Sequence, residues 1–355
     1  MSHGSCWTII GLHQGFLKYG WTTMETVSRN LHAAVLGGLM DIFSKYQPDS
    51  EHSDIGAVVT ENEPCKEEVD QDRFERAVHQ TFKEKFLKVD RTIIQSPFEP
   101  LSSSQPSPKP VAIAAMNAAL SGCSSLVAFY DHEPRKLRVA NAGNVRAVLG
   151  RRSMPKKEGR DVYHAHVLSE DHTSDTAPGL SRAFGAGPYK WSRDIQDQLH
   201  RDYMGDPPVD HPPHIVLTAE PSVTTIDVKP GDFLVLATRG LWSSLTNEEV
   251  VGLVGLWLNR GMFSAKDELQ ASKDVLMPSD LPVPTSTDNT VMYKRWGVEK
   301  RFICVDNNVA QHLARNALGG AEHSWTSILL SHRPPRSLHL REDINVTVVF
   351  FDDGS

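Results

Sequence analysis

Four short stretches place polar residues where a chain can present one side chain to a site. In "LATRGLW" an apolar run, Phe233 to Ala237, ends in Thr238-Arg239-Gly240 before an amphipathic helical pattern begins. An arginine at such a strand-to-helix turn carries a permanent charge and a planar fork of donors, so it suits a carboxylate or a phosphate. Asp343, in "REDINV", opens the last strand pattern, where a carboxylate can serve as a cap or a surface charge. "GLHQGFLKYGWTT" offers His13 and Tyr19 as acid/base groups, and "LSRAFG" adds Arg182 as a cation for binding.

These residues need a scaffold, and the chain supplies one. It has 355 residues, 39% of them hydrophobic, enough for a sizeable core. Its net charge of -7 gives no basic surface for nucleic acid. The longest apolar runs are too short to span a bilayer, and Met1 to Trp7 is small and polar, so a cytoplasmic protein is expected. Cys6, Cys65, Cys123 and Cys304 are scattered without metal spacing and read as free thiols.

Helical periods run over 23–46, 72–90, 111–121, 247–258 and 305–318. Strand patterns occupy 6–11, 125–130, 136–141, 146–150, 164–168, 223–228, 232–237 and 344–351. Residues 47–70, 96–110 and 262–300 read as inserted loops. Long helices, then strands, then helices and a final strand imply an α+β chain folded as one domain, 1–355.

"RVANAGNVRAVLG" (138–150), "GDFLVLATRGLWSSLTNEEVVGLV" (231–254) and "REDINVTVVFF" (341–351) resemble the metal-dependent, type 2C Ser/Thr protein phosphatases. "LSEDHT" (168–173), "LSRAFG" (180–185) and "VAQHLARNALGG" (309–320) are similar to the pyruvate-dehydrogenase-phosphatase-like branch. The likeness runs from about residue 7 to 352. It implies a four-layer αββα sandwich of two antiparallel sheets flanked by helices, here lacking the family's first strands. It also implies a binuclear magnesium or manganese centre, which activates water for attack on phosphorus.

Carried over position by position, most of that centre's ligands are substituted. The resemblance sets Gln14 at the bridging Asp, Phe16 at the acid His, Asn144 and Ala186 at two further Asp positions, and Arg239 at the Asp before "GLW". Asp343 alone keeps a ligand position. Arginine has no acceptor for a cation, and one carboxylate does not hold two divalent ions. The expectation is therefore a pseudophosphatase without metal cofactor that binds a protein, a phosphoprotein or a small molecule in the old cleft. Arg239, paired across that cleft with Asp343, would replace the cation, and Arg182 would order the rim. The alternatives are a scaffold repurposed for metal-independent chemistry (isomerase, cyclase or hydrolase type) using Arg239, Asp343, His13 or Tyr19, and a residual phosphatase.

Overall fold

The computed structural model describes residues 6–17, 20–46, 66–98, 108–153, 161–175, 179–203, 206–209, 217–260, 275–284, 286–334 and 336–352. Its strands are β1 Trp7–Phe16, β2 Gly122–Asp131, β3 Lys136–Ala142, β4 Arg146–Arg152, β5 Tyr163–Val167, β6 Phe184–Gly185, β7 Ser222–Asp227, β8 Asp232–Ala237 and β9 Val346–Phe351. The helices used below are α1 Gly20–Lys45, α2 Lys66–Gln95, α3 Lys109–Leu120, α4 Arg193–Tyr203, α5 Arg239–Trp242, α6 Asn247–Arg260, α7 Val309–Ala317 and α8 His323–Ser331. They form two antiparallel sheets with flanking helices, ordered β1-β2-β3-β7 (with β6 on β2) and β5-β4-β8-β9.

The chain divides into two compact units. Unit 1 comprises residues 1–12, 128–171 and 224–355 and holds the whole second sheet. There β8 is central, pairing Ala237 with Arg146 of β4 and with Val346 of β9. All six β8 residues are buried, as a strand covered on both faces requires, whereas edge strand β9 is only partly covered. Phe233, Val235, Leu241, Val250, Val254 and Leu313 form the core between this sheet, α6 and α7.

Unit 2 comprises residues 13–127 and 172–223. Its long helices bury one stripe each: Val27, Leu31, Val35 and Leu39 on α1, and Val78, Phe82, Phe86, Val89 and Ile93 on α2. A Cβ on Gly38 would lie 2.7 Å from the Thr81 Cγ2, so the missing side chain sets the closest approach of the pair. Phe86 carries the packing on to Phe184 of β6, 5.3 Å away between ring centres.

Two element boundaries differ from expectation in ways that bear on the site. Strand β1 does not stop at Gly11 but continues through His13 to Phe16. Residues 66–70, expected in a loop, open α2, in keeping with the helix propensity of Lys and Glu. Loop residues 47–65, 99–107 and 261–274 lie outside the described residues, whereas 292–296 form a helical turn.

Candidate functional site

The positions singled out by type fall into both units. In unit 1, β8 delivers Thr238 and Arg239 at its end, and β9 is preceded by the segment 341–345. Thr238 ties these together. Its Oγ1 donates to the Asp343 carbonyl at 2.9 Å and accepts from the Asn345 N–H at 2.9 Å, while its own N–H donates to the Asn345 carbonyl at 3.0 Å. Gly240 lies so close that a Cβ there would be 2.6 Å from the Asp343 oxygen, which explains the glycine after the arginine.

The expected Arg239–Asp343 pair does not form. Arg239 Nε faces Glu342 Oε1 at 3.5 Å, and the Asp343 carboxylate points outward, 84% exposed, with Arg341 Nη1 3.9 Å away. The cause is the alternation of extended backbone: the Asp343 carbonyl is held by Thr238, so neighbouring side chains 342 and 343 point to opposite sides. Glu342 Oε2 is buried without a hydrogen-bond partner, so its carboxylate relies on the arginine for compensation. Glu342 was missed in the sequence because Asp343 matched the motif; the Arg-Glu-Asp run offered both carboxylates.

Arg146 braces the same turn. It grips Asp171 through Nε–Oδ1 at 3.1 Å and Nη2–Oδ2 at 2.7 Å, donates to Asn247 at 2.8 Å, and lies 5.1 Å over the Trp242 ring. Asp171 of "LSEDHT" is thereby a structural anion. Asn144 stands in the turn between β3 and β4, and the neighbouring Asn141 donates to the carbonyls of Gly143 and Glu170.

In unit 2 the carried-over positions are packed. The Phe16 ring lies against the bare backbone of Gly122, where a Cβ would meet its Cζ at 2.2 Å. Phe16 and Tyr189 cover a cluster of Leu180, Ala183, Ala186 and Leu217. Ala186 is fully buried in a left-handed conformation, φ 52°, with its N–H bonded to the Ser121 carbonyl at 2.6 Å. The extra residues that the resemblance sets after Phe16 are flanked by Gly15 and Gly20, and a Cβ on Gly15 would be 2.3 Å from the Gly20 carbonyl oxygen. Tyr19, in that insertion, lies outside the described residues.

His13 is a packed residue. Its Nδ1 is 2.8 Å from Ser125 Oγ, and its ring lies 5.1 Å from that of His32. Burial, reinforced by His32, lowers its pKa to about 4, so the imidazole is neutral at pH 7. Gln14 engages the Cys123 thiol through its backbone, and burial pushes that thiol's pKa up. Arg182 donates through Nη1 to the Glu220 carbonyl at 2.6 Å.

A buried ion pair that the sequence reading missed holds the Ala186 segment. Lys190 Nζ lies 2.8 Å from both Asp90 oxygens, with the two side chains 7% and 8% exposed. Lys190 also donates to the Ala183 carbonyl, and Asp90 accepts from the Gly185 N–H at 2.8 Å. The signal was an aspartate beside Val89 on the apolar stripe of α2.

A family model described as protein phosphatase 2C matches residues 47–178 and 179–277. A protein phosphatase 2C homolog of Schizosaccharomyces pombe is 31% identical over 298 residues, covering 78% of this chain and 63% of its own. The chain belongs to the protein phosphatase 2C family. Mitochondrial pyruvate dehydrogenase (acetyl-transferring) phosphatase 1 of Saccharomyces cerevisiae is 30% identical, covering 76% of this chain and 52% of that relative. The human mitochondrial phosphatase 2 of the same name is 31% identical, covering 68% and 50%. The chain thus spans about half to under two thirds of the length of these relatives. A crystal structure of serine-threonine phosphatase 2C from Toxoplasma gondii aligns with TM-score 0.45 at 14% identity, over 98% of this chain and 85% of the other.

The protein phosphatase 2C likeness implies magnesium or manganese, and two of the positions carried over from it, Arg239 and Asp343, do not suit such ions as they stand. Among the described residues no three His, Cys, Asp or Glu side chains gather as a ligand group. Arg239 has no acceptor to offer, and the Asp343 carboxylate is directed to solvent. Among the described residues no helix is long and apolar enough to cross a membrane.

Proposed function

We propose that this protein phosphatase 2C family member has lost metal-dependent hydrolysis of phosphoserine and phosphothreonine and acts by binding a phosphoprotein. One observation carries the reading: a half-exposed arginine, paired with Glu342, stands where the family motif has a metal-binding aspartate. A guanidinium at that turn supplies the positive charge that the cations would bring to a phosphate, without activating water. Glu342 competes internally for the arginine, so a phosphate dianion has to displace a carboxylate already in place.

The test is fluorescence anisotropy with a phosphothreonine peptide and its unphosphorylated form. The phosphopeptide is expected to bind without added metal, and Arg239→Ala to weaken it by about tenfold, or about 1.4 kcal/mol. Equal binding of both peptides, or no effect of Arg239→Ala, would defeat the proposal.

A further inference from the structure

Between Glu322 and Glu342 the chain carries three arginines, Arg333, Arg336 and Arg341, and no aspartate or glutamate, in a protein whose net charge is -7. The structure gathers these arginines in unit 1. Helix α8 ends at Ser331, after which the Ser337 N–H donates to the Arg333 carbonyl at 3.1 Å and the Arg341 N–H to the Ser337 carbonyl at 2.9 Å. Each bond closes one turn, so Arg333, Ser337 and Arg341 follow one another about 6 Å apart. Arg336 lies three residues on from Arg333, the spacing at which side chains on a turn are neighbours. The segment is fastened at its end: Arg341 Nε donates to the Leu329 carbonyl at 3.2 Å, and Trp296 Nε1 to the Leu340 carbonyl at 2.8 Å.

Two of the charges there are already answered. Arg341 Nη1 has the Asp343 carboxylate 3.9 Å away, and Arg239 beyond it has Glu342. Arg333 and Arg336 are exposed, and among the described residues neither side chain enters an ion pair. Like charges at that spacing repel, and no acidic residue of the segment offsets them. Leu338, 61% exposed, adds an apolar side chain to the same turn. An overall negative charge repels a dense polyanion such as nucleic acid or an anionic membrane, whereas two arginines and a leucine match a short acidic run of polypeptide.

We propose that the partner segment bound at Arg239 is acidic: a phosphopeptide whose neighbouring aspartates or glutamates meet Arg336 and Arg333. The inference rests on the phosphopeptide reading above and names the class of its partner. The segment runs directly into Glu342, which faces Arg239. An extended peptide rises about 3.3 Å per residue, so residues roughly two to six positions from the phosphate come over the basic turn.

Fluorescence anisotropy of the full chain with four peptides tests it: phosphothreonine or threonine, each flanked by aspartates or by serines. The aspartate-flanked phosphopeptide is expected to bind about tenfold more tightly than the serine-flanked one, with the factor shrinking at high salt. Arg333→Gln together with Arg336→Gln should remove most of that factor and leave the serine-flanked phosphopeptide unchanged. Arg333→Glu with Arg336→Glu should turn the preference towards a lysine-flanked phosphopeptide, a gain that an unfolded chain could not show. Equal binding of the two phosphopeptides, or an acidic preference that survives Arg333→Gln/Arg336→Gln, would overturn the inference and leave the Arg239 reading standing. An acidic preference of the same size and affinity without phosphate would defeat the Arg239 reading alone and uphold the acidic class of the partner. Tighter binding of duplex DNA or anionic vesicles than of the acidic phosphopeptide would overturn the inference in favour of a polyanion.

Discussion

Two ion pairs, one in each unit, stand beside positions that the resemblance assigns to metal ligands, and they are built differently. Lys190–Asp90 is closed at 2.8 Å, nine-tenths buried, and satisfied by the Ala183 carbonyl and the Gly185 N–H. Arg239–Glu342 is open at 3.5 Å, with the arginine 52% exposed and one carboxylate oxygen unpartnered. The first fixes backbone: it holds the segment carrying Ala186. The second leaves a cation at a turn where it can exchange partners. On the proposed reading the two regions differ in kind: Phe16 and Ala186 are packed in an apolar cluster, whereas Arg239 sets a charge at its turn.

The contrast is sharpest in stability. Asp90→Asn leaves the Lys190 ammonium buried without its counter-charge, and should cost about 3–5 kcal/mol in urea unfolding. A loss below about 1 kcal/mol would mean that the pair is not the clamp described. Phe16→Ala opens a cavity over Leu180, Ala183, Ala186 and Leu217 and should cost about 2–4 kcal/mol. A near-neutral result would show the ring to be a loose cover, and would dissolve the claim that this position has joined the core.

His13 adds a pH signature to unit 2. Its pKa is about 4 when folded and 6.5 when unfolded, so between those values the unfolded state binds more protons. Stability therefore falls as pH drops from 6.5 towards 4 and levels off below that. His32, also lowered by burial, contributes with the same sign. Between pH 7 and pH 5 the native chain should lose about 2 kcal/mol more than His13→Leu does. Parallel pH curves for the two would remove His13 as the cause. The smallest effect belongs to unit 1: Glu342→Gln should change stability by less than about 1 kcal/mol, since a pair that is open at 3.5 Å with a half-exposed arginine contributes little. The same variant should strengthen phosphopeptide binding by removing the competitor, and weaker binding would reverse that assignment.

What the sequence disclosed follows the same division. Strand β8 was legible to the residue, because a five-residue apolar run between "KPGD" and Thr-Arg-Gly has one reading. Strand β1 was cut short because His13 and Gln14 interrupt its apolar pattern, yet strands are held by backbone, and Ser125 and His32 receive the His13 side chain. Helix α4 went unread because its buried positions include a glutamine, Gln196, whose amide bonds the Trp191 carbonyl and the Val209 N–H. Helix α7 starts at Val309 rather than Val305 because the Asn308 side chain caps it, accepting from the Gln311 N–H. At the site, motif spacing placed Arg239 beside the start of the last strand. It did not choose between Glu342 and Asp343; the Thr238 hydrogen bonds and the alternation of side chains made that choice.

The central claim is that Arg239 has taken a cation's place. The most direct measurement is a calorimetric manganese titration of the native chain, with phosphate release from p-nitrophenyl phosphate followed in the same samples. No saturable manganese binding and no metal-dependent release are expected. Stoichiometric manganese binding accompanied by metal-dependent turnover in the native protein would contradict it.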